Sequence, residues 1–224
     1  MADSAKGTFD FVDINPGMSG MAFAAEAEGG VCVGVHRVKP TALASYEAFF
    51  GRGSAEPPTV HGELVLVGLP FSMFAHSDSG DPAVTDLISL AHRTSKGVSA
   101  VLFRVSWSSA RRLGVDPDEY RSTIEGAFDA KKWDVTSAVS NDENDLFIAA
   151  VARGKWNGKE ALPANYPGGR PVPRHSNPQE ILVGHGYPEN FALHNAAVDR
   201  KLVEGIVIVD NARAAIAGTI RSVR

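Results

Sequence analysis

Apolar and polar positions along the chain alternate between two periods. TFDFVDI (8–14) alternates and then runs apolar, the pattern of a strand that ends buried. PGMSG (16–20) reads as a tight turn, MAFAAEAE (21–28) as a short helix closed by Gly29 and Gly30, and VCVGV (31–35) as a second strand. PTALASYEAFF (40–50) places Leu43, Tyr46 and Phe50 on one helical face behind an opening proline. ELVLVG (63–68) predicts a third strand, PAVTDLISLAHRT (82–94) a helix and VSAVLFRV (98–105) a fourth strand. In DPDEYRSTIEGAF (116–128), Asp116 is the expected N-cap, with Pro117 at the first helical position. WDVTSAV (133–139) and DLFIAAVA (145–152) flank an Asn/Asp-rich turn and predict a hairpin. A helical piece over 177–186 and a terminal helix near 197–221 complete the pattern.

Strands and helices alternate through connections too long for hairpins. The expected fold is therefore α/β: a mainly parallel sheet with helices on both faces and an antiparallel edge hairpin, in a Rossmann-like arrangement. Ligands in such sheets sit at the carboxyl ends of strands, near the point where strand order reverses. Residues 15–20 and 69–80 are the turns to inspect.

Composition changes this picture little. The chain has 224 residues, 44% of them hydrophobic, a net charge of −4 and one cysteine, Cys32. A lone cysteine excludes an internal disulfide and a cysteine-built zinc site, and the seven histidines lack metal-ligand spacing, so no metal is expected. The absence of a long apolar run or a leader-like start predicts a soluble, intracellular protein with no membrane role. Charge distribution is more informative. Residues 152–175 carry Arg153, Lys155, Lys159, Arg170 and Arg174 against Glu160 alone, with Trp156 and Tyr166 among them. Basic and aromatic residues so interleaved suit a phosphate backbone and stacked bases; the plainer reading is a solvated loop whose aromatics pack down on the body.

Several segments resemble, in order, the DNA cytosine-5 methyltransferase family. FVDINPGMSGMAFAAEAEGGVCVGV (11–35) is similar to that family's opening Asp-Leu-Phe-x-Gly-x-Gly-Gly turn, its helix and its second strand, with Asp13, Gly17 and Gly20 matching and Ser19 standing for a glycine. VKPTALASYEAFFG (38–51) resembles the helix that follows, and ELVLVGLPFSMF (63–74) the strand leading to a Gly-x-Pro-Cys loop. NPQEILVGHGYPENF (177–191) resembles a segment ending in Gly-Phe-Pro, and RKLVEGIVIVDNARAAI (200–216) the final Gly-Asn-Ala-Val helix, which packs back beside the first turn. The resemblance implies an S-adenosylmethionine-dependent methyltransferase fold. It implies cofactor contacts at Asp13, Gly17, Ser19 and Gly20, and a three-part chain: a core over 1–152, a short basic loop over 153–176 in place of a target-recognition region, and a C-terminal segment over 177–224.

The positions that carry chemistry in that family are altered. Its nucleophilic cysteine, which adds to C6 of a flipped-out cytosine, falls at Phe71, which has no proton to lose and no lone pair to donate. Ser72 with His76 is a weak substitute. The Glu-Asn pair falls at Phe103 and Arg104, the Arg-x-Arg motif at Glu143 and Asp145, and the acid that binds the cofactor ribose near Arg37. The last motif's Gly-Asn falls at Glu204 and Gly205. Apolar and turn positions persist where polar chemistry is gone, which implies a scaffold without turnover. Such a scaffold acts by binding: DNA, in a weak and salt-sensitive contact through Arg153, Lys155, Trp156, Lys159, Arg170 and Arg174, or a protein partner. The alternatives are an active cytosine methyltransferase, and an unrelated Rossmann-like module whose C-terminal helix does not return beside the first strand.

Overall fold

The computed structural model describes residues 8–16, 20–36, 63–70, 83–94, 97–169, 177–191 and 207–224. Six strands are described: β1 (Phe9–Ile14), β2 (Gly30–His36), β3 (Leu64–Leu69), β4 (Ala100–Ser106), β5 (Trp133–Val139) and β6 (Asp145–Ala152). They form one sheet in the order β2-β1-β3-β4-β6-β5. β1 pairs in parallel with β2 and β3, and β3 with β4, while β6 runs antiparallel to both β4 and β5. The expected hairpin does lie at the edge, with its strands in inverted order. β6 inserts beside β4 and the half-buried β5 is outermost. The reason is visible in composition: DLFIAAVA is apolar on both faces and is buried from Asp145 to Val151, whereas WDVTSAV carries Asp134, Thr136 and Ser137.

Helices α1 (Gly20–Ala27) and α6 (Val209–Val223) cover one face of the sheet. α2 (Val84–Thr94), α3 (Trp107–Arg112) and α4 (Pro117–Ala127) cover the other, and α5 (Pro178–Gly184) packs on the α1 side. Strand alternation divides the core between these layers. In β4, Ala100 and Leu102 face α1 and α6, while Val101, Phe103 and Val105 face α2 to α4. The N-cap of α4 follows the sequence expectation: the Asp116 side chain accepts from the Asp118 N–H at 2.9 Å. Asn177 and Glu180 form a reciprocal capping box at 2.9 and 2.8 Å.

Two expectations need correction. α3 was not foreseen, because WSSARR has neither an apolar period nor a side-chain cap at Ser106. The terminal helix does not begin near 197 as one continuous element: Ile208 is extended at φ −78° and ψ 116°, and α6 starts at Val209. The β-branched run Ile206-Val207-Ile208-Val209 disfavours helix there. The expected helix over 40–50 lies outside the described residues.

Candidate functional site

The strand order places the reversal point between β1 and β3, and Asn15 stands on it. Its φ is +52°, a left-handed conformation that asparagine tolerates better than most residues. Its N–H donates to the His36 carbonyl at 2.8 Å and its side-chain amide to the Gly68 carbonyl at 2.7 Å, so one residue ties the ends of β2, β1 and β3 together. Beyond β3, the Tyr120 hydroxyl donates to the Pro70 carbonyl at 3.0 Å and anchors the residue that follows the strand. Phe71, Ser72 and His76 lie outside the described residues.

A buried polar cluster occupies the α1 and α6 side of this edge. Arg104 Nε–H and Nη2–H both donate to Asp145 Oδ1, at 2.8 and 2.6 Å. The two side chains are 11% and 0% exposed. The other carboxylate oxygen accepts from the Ile208 N–H and from the Asn211 amide, each at 3.2 Å. Asn211 also accepts from the Gly168 N–H at 2.8 Å, which stitches α6 to the chain that follows β6. Tyr187 enters the same cluster, and its hydroxyl lies against Gly20, 2.5 Å from where a Cβ on that glycine would stand. Burial pushes this phenol well above its ordinary value; Asp145 and Asp13 add to the shift, and Arg104 and the Gly20 N–H oppose it. The Tyr120 phenol is raised to about 12 by burial and by Glu119. Both are neutral at physiological pH, so neither serves as a base there.

The turn of the β5–β6 hairpin is held by Asp142. Burial pushes its carboxyl upward, but hydrogen bonds from the Ser140 hydroxyl, the Asn144 N–H, the Asn211 amide and the Gly169 N–H outweigh it, so it titrates below the ordinary 3.8. A depressed folded value means stability present above the unfolded value and lost as pH falls through the folded one. Asp142→Asn is therefore expected to lower the urea midpoint at neutral pH, with the gap to the parent narrowing as pH drops below 3.8. A gap unchanged with pH would remove the carboxylate charge from this account.

The predicted site residues are distributed as follows. Asp13 is fully buried beneath the polar cluster and Gly20 opens α1; Gly17, Ser19 and Arg37 lie outside the described residues. Phe103 is turned into the α2–α4 core against Phe128, at 5.9 Å between ring centroids. Its neighbour Arg104, on the opposite face, reaches Asp145. The two positions read as lost chemistry thus form an ion pair with each other. Arg153, Lys155, Trp156 and Lys159 follow the end of β6, which pairs with the beginning of β4. They sit at the amino edge of the parallel strands, opposite Asn15 and Tyr187. From there the chain runs along α6, where Thr219 donates to the Ala161 carbonyl, and reaches the carboxyl edge only at Gly168 and Gly169. Tyr166 is buried on that path and stacks on Phe147 at 5.4 Å. Arg170, Arg174, Glu204 and Gly205 lie outside the described residues.

Tyr187, Asn211 and the pairing of Arg104 with Asp145 were not foreseen. Their one sequence signal is the pair of charges opposite to those the resemblance expects, at the ends of two strands. The final motif's Gly-Asn falls at Glu204 and Gly205 in the resemblance, which leaves Asn211 without a sequence signal of its own.

At the start of α1, where the resemblance places S-adenosylmethionine, the chain's own side chains crowd Gly20. That pose uses the amides at the start of α1, and the Tyr187 hydroxyl packs against Gly20 there. A Cβ on Gly20 would lie 2.0 Å from Val207 Cγ1 and 2.5 Å from Tyr187 Oη, so the chain's own side chains fill that space. β2 ends in His36, one position before Arg37, near which the resemblance expects the carboxylate for ribose.

No family model matches the chain, and no curated protein matches it. Among solved structures, it is similar to Spodoptera frugiperda DNMT2, with a TM-score of 0.65 and 12% identity over 94% of this chain and 99% of that one. It is similar to a DNA modification methyltransferase encoded within an E. coli prophage, with a TM-score of 0.60 and 10% identity over 95% and 99%. The Entamoeba histolytica methyltransferase EhMeth gives a TM-score of 0.57 and 10% identity over 95% and 96%. At these identities the likeness is one of fold: the chain has a DNA methyltransferase-like fold. α6 packs along α1, and Arg224 reaches the Thr8 carbonyl at 2.7 Å, so the C-terminal helix does return beside β1. No helix among the described residues is long and apolar enough to cross a membrane, and no metal-ligating cluster occurs among them.

Proposed function

We propose that this chain is a DNA cytosine-5 methyltransferase-like domain without methyl-transfer activity, which acts by binding nucleic acid. The observation that carries this reading is the start of α1, where the Tyr187 hydroxyl and the Val207 side chain pack against Gly20 and fill the space beside it. The ion pair supports it from the acceptor side. Arg104 and Asp145 spend their charges on each other, on Ile208 and on Asn211, so neither is left to hold a pyrimidine. Phe71 supports it a third time, because a phenyl ring cannot add to C6 of cytosine.

Incubation with labelled S-adenosylmethionine and duplex DNA is expected to transfer no label. Phe71→Cys is expected to transfer none either, because restoring the thiol leaves the donor's place filled. Label at C5 with the parent chain would overturn the whole reading. Label with the Phe71→Cys variant alone would overturn the claim that Tyr187 and Val207 exclude the donor. In calorimetry, the parent should bind S-adenosylmethionine no tighter than about 1 mM, or about −4 kcal/mol.

A further inference from the structure

Outside the crevice, the described residue clusters that could bind a ligand converge on the amino edge of the sheet. Three separate elements meet there. The turn before β5 supplies Lys131 and Lys132, the turn after β6 supplies Arg153, Lys155, Trp156 and Lys159, and the last turn of α6 supplies Arg221. Backbone bonds join them: Arg153 N–H to the Lys132 carbonyl at 2.8 Å, and Asn157 N–H to the Ser222 carbonyl at 2.9 Å. The Asn157 side-chain amide donates to the Arg221 carbonyl at 2.7 Å. These contacts make one surface of residues that run from Lys131 to Arg221 in the sequence.

Six cations face three carboxylates on this surface, in a chain whose net charge is −4. Arg153 pairs with Asp134 at 2.9 Å and Lys132 with Asp129 at 3.9 Å, and Glu160 is exposed beside Lys159. Lys131, Lys155, Lys159 and Arg221 are exposed and form no ion pair among the described residues. Trp156 stands among them. It is 43% exposed, and its indole N–H is fixed to the Lys159 carbonyl at 2.7 Å. An indole held by its edge and open on a face is a platform for a base, and cations around it are placed for the flanking phosphates. A duplex keeps its bases stacked on each other, so the arrangement favours a strand whose bases are free.

We propose that this amino-edge surface, centred on Trp156 and built from Lys131, Lys155, Lys159 and Arg221, is a docking site for single-stranded nucleic acid. It rests on the nucleic-acid half of the reading above and moves the contact away from the crevice. Binding here is electrostatic with one stacked base. It needs neither methyl donor nor flipped cytosine.

The test is a titration of the full chain with a labelled oligothymidine of about 12 nucleotides, followed by anisotropy and tryptophan quenching. Saturable binding at low salt is expected, with a log–log salt slope of about −3 for four phosphate contacts. Lys155→Glu with Lys159→Glu should weaken it at least about tenfold, and Trp156→Ala about tenfold with loss of the quenching. Arg221→Glu, on a different element, should weaken it about threefold and leave the Trp156 turn intact. Where binding occurs, three results would overturn the proposal: duplex bound as tightly as the single strand, heparin competing with no effect of Trp156→Ala, or binding that survives all three charge reversals. In the last case the surface fails and nucleic-acid binding elsewhere stands. No binding at any salt concentration removes both.

Discussion

Asp145→Ala is expected to destabilise the protein by about 3–5 kcal/mol, the cost of removing one member of a buried ion pair. The side chain is fully buried and accepts four hydrogen bonds, two from Arg104 and one each from Ile208 and Asn211. Alanine leaves a guanidinium that is 11% exposed with no counter-charge from that carboxylate, and the Ile208 N–H without its acceptor, while the Asn211 amide keeps only Asp142. Leaving such groups uncompensated in a low-dielectric interior costs far more than the pair contributes when intact. The effect spans three elements, because the carboxylate joins β6 to β4 and to the start of α6. Urea unfolding should show a lower midpoint, and Arg104→Leu combined with Asp145→Leu should recover part of the loss. A single-variant cost below about 1 kcal/mol would show the pair to be solvated and would remove its role in closing the crevice.

Gly68→Ala is expected to cost about 3 kcal/mol, at the upper end for overpacking. The new Cβ would lie 2.3 Å from the Asn15 carbonyl oxygen. That oxygen belongs to backbone, and its residue is pinned by two hydrogen bonds and a φ of +52°. Neither strand end can yield without breaking the tie at the reversal point. Gly126→Ala provides the contrast. A Cβ there meets nothing within 4 Å, and alanine favours helix over glycine, so α4 should gain up to about 1 kcal/mol. The two variants should move the thermal midpoint in opposite directions. Equal shifts would mean that the close approach at Gly68 relaxes at little cost.

Both predictions depend on contacts that no local pattern announces. Arg104 and Asp145 are 41 positions apart, and each read alone marks a departure from the resemblance. They meet because inserting β6 next to β4 brings the end of one strand beside the beginning of the other. Tyr187 read as the aromatic of a Gly-Phe-Pro-like turn. Only the packing of α5 and its following turn against α1 sets its hydroxyl against Gly20. The basic loop presented five cations as one feature, and the fold divides it. The first part stays at the amino edge, and the middle runs down α6 with Tyr166 buried against Phe147.

Local chemistry was sufficient for most of the elements. Apolar runs with β-branched residues place β1 to β6 to within a residue or two, Asp116 and Asn177 mark where α4 and α5 start, and the alternation of strands and helices implies the parallel sheet. These are properties of neighbours in the chain, set by period, capping and turn propensity. The order of strands within the hairpin, the closing of α1 by Tyr187, the Arg104–Asp145 pair and the surface around Trp156 were decided by tertiary structure. Each joins residues distant in sequence, and their energies come from burial and mutual satisfaction of polar groups that exist only once the layers have packed.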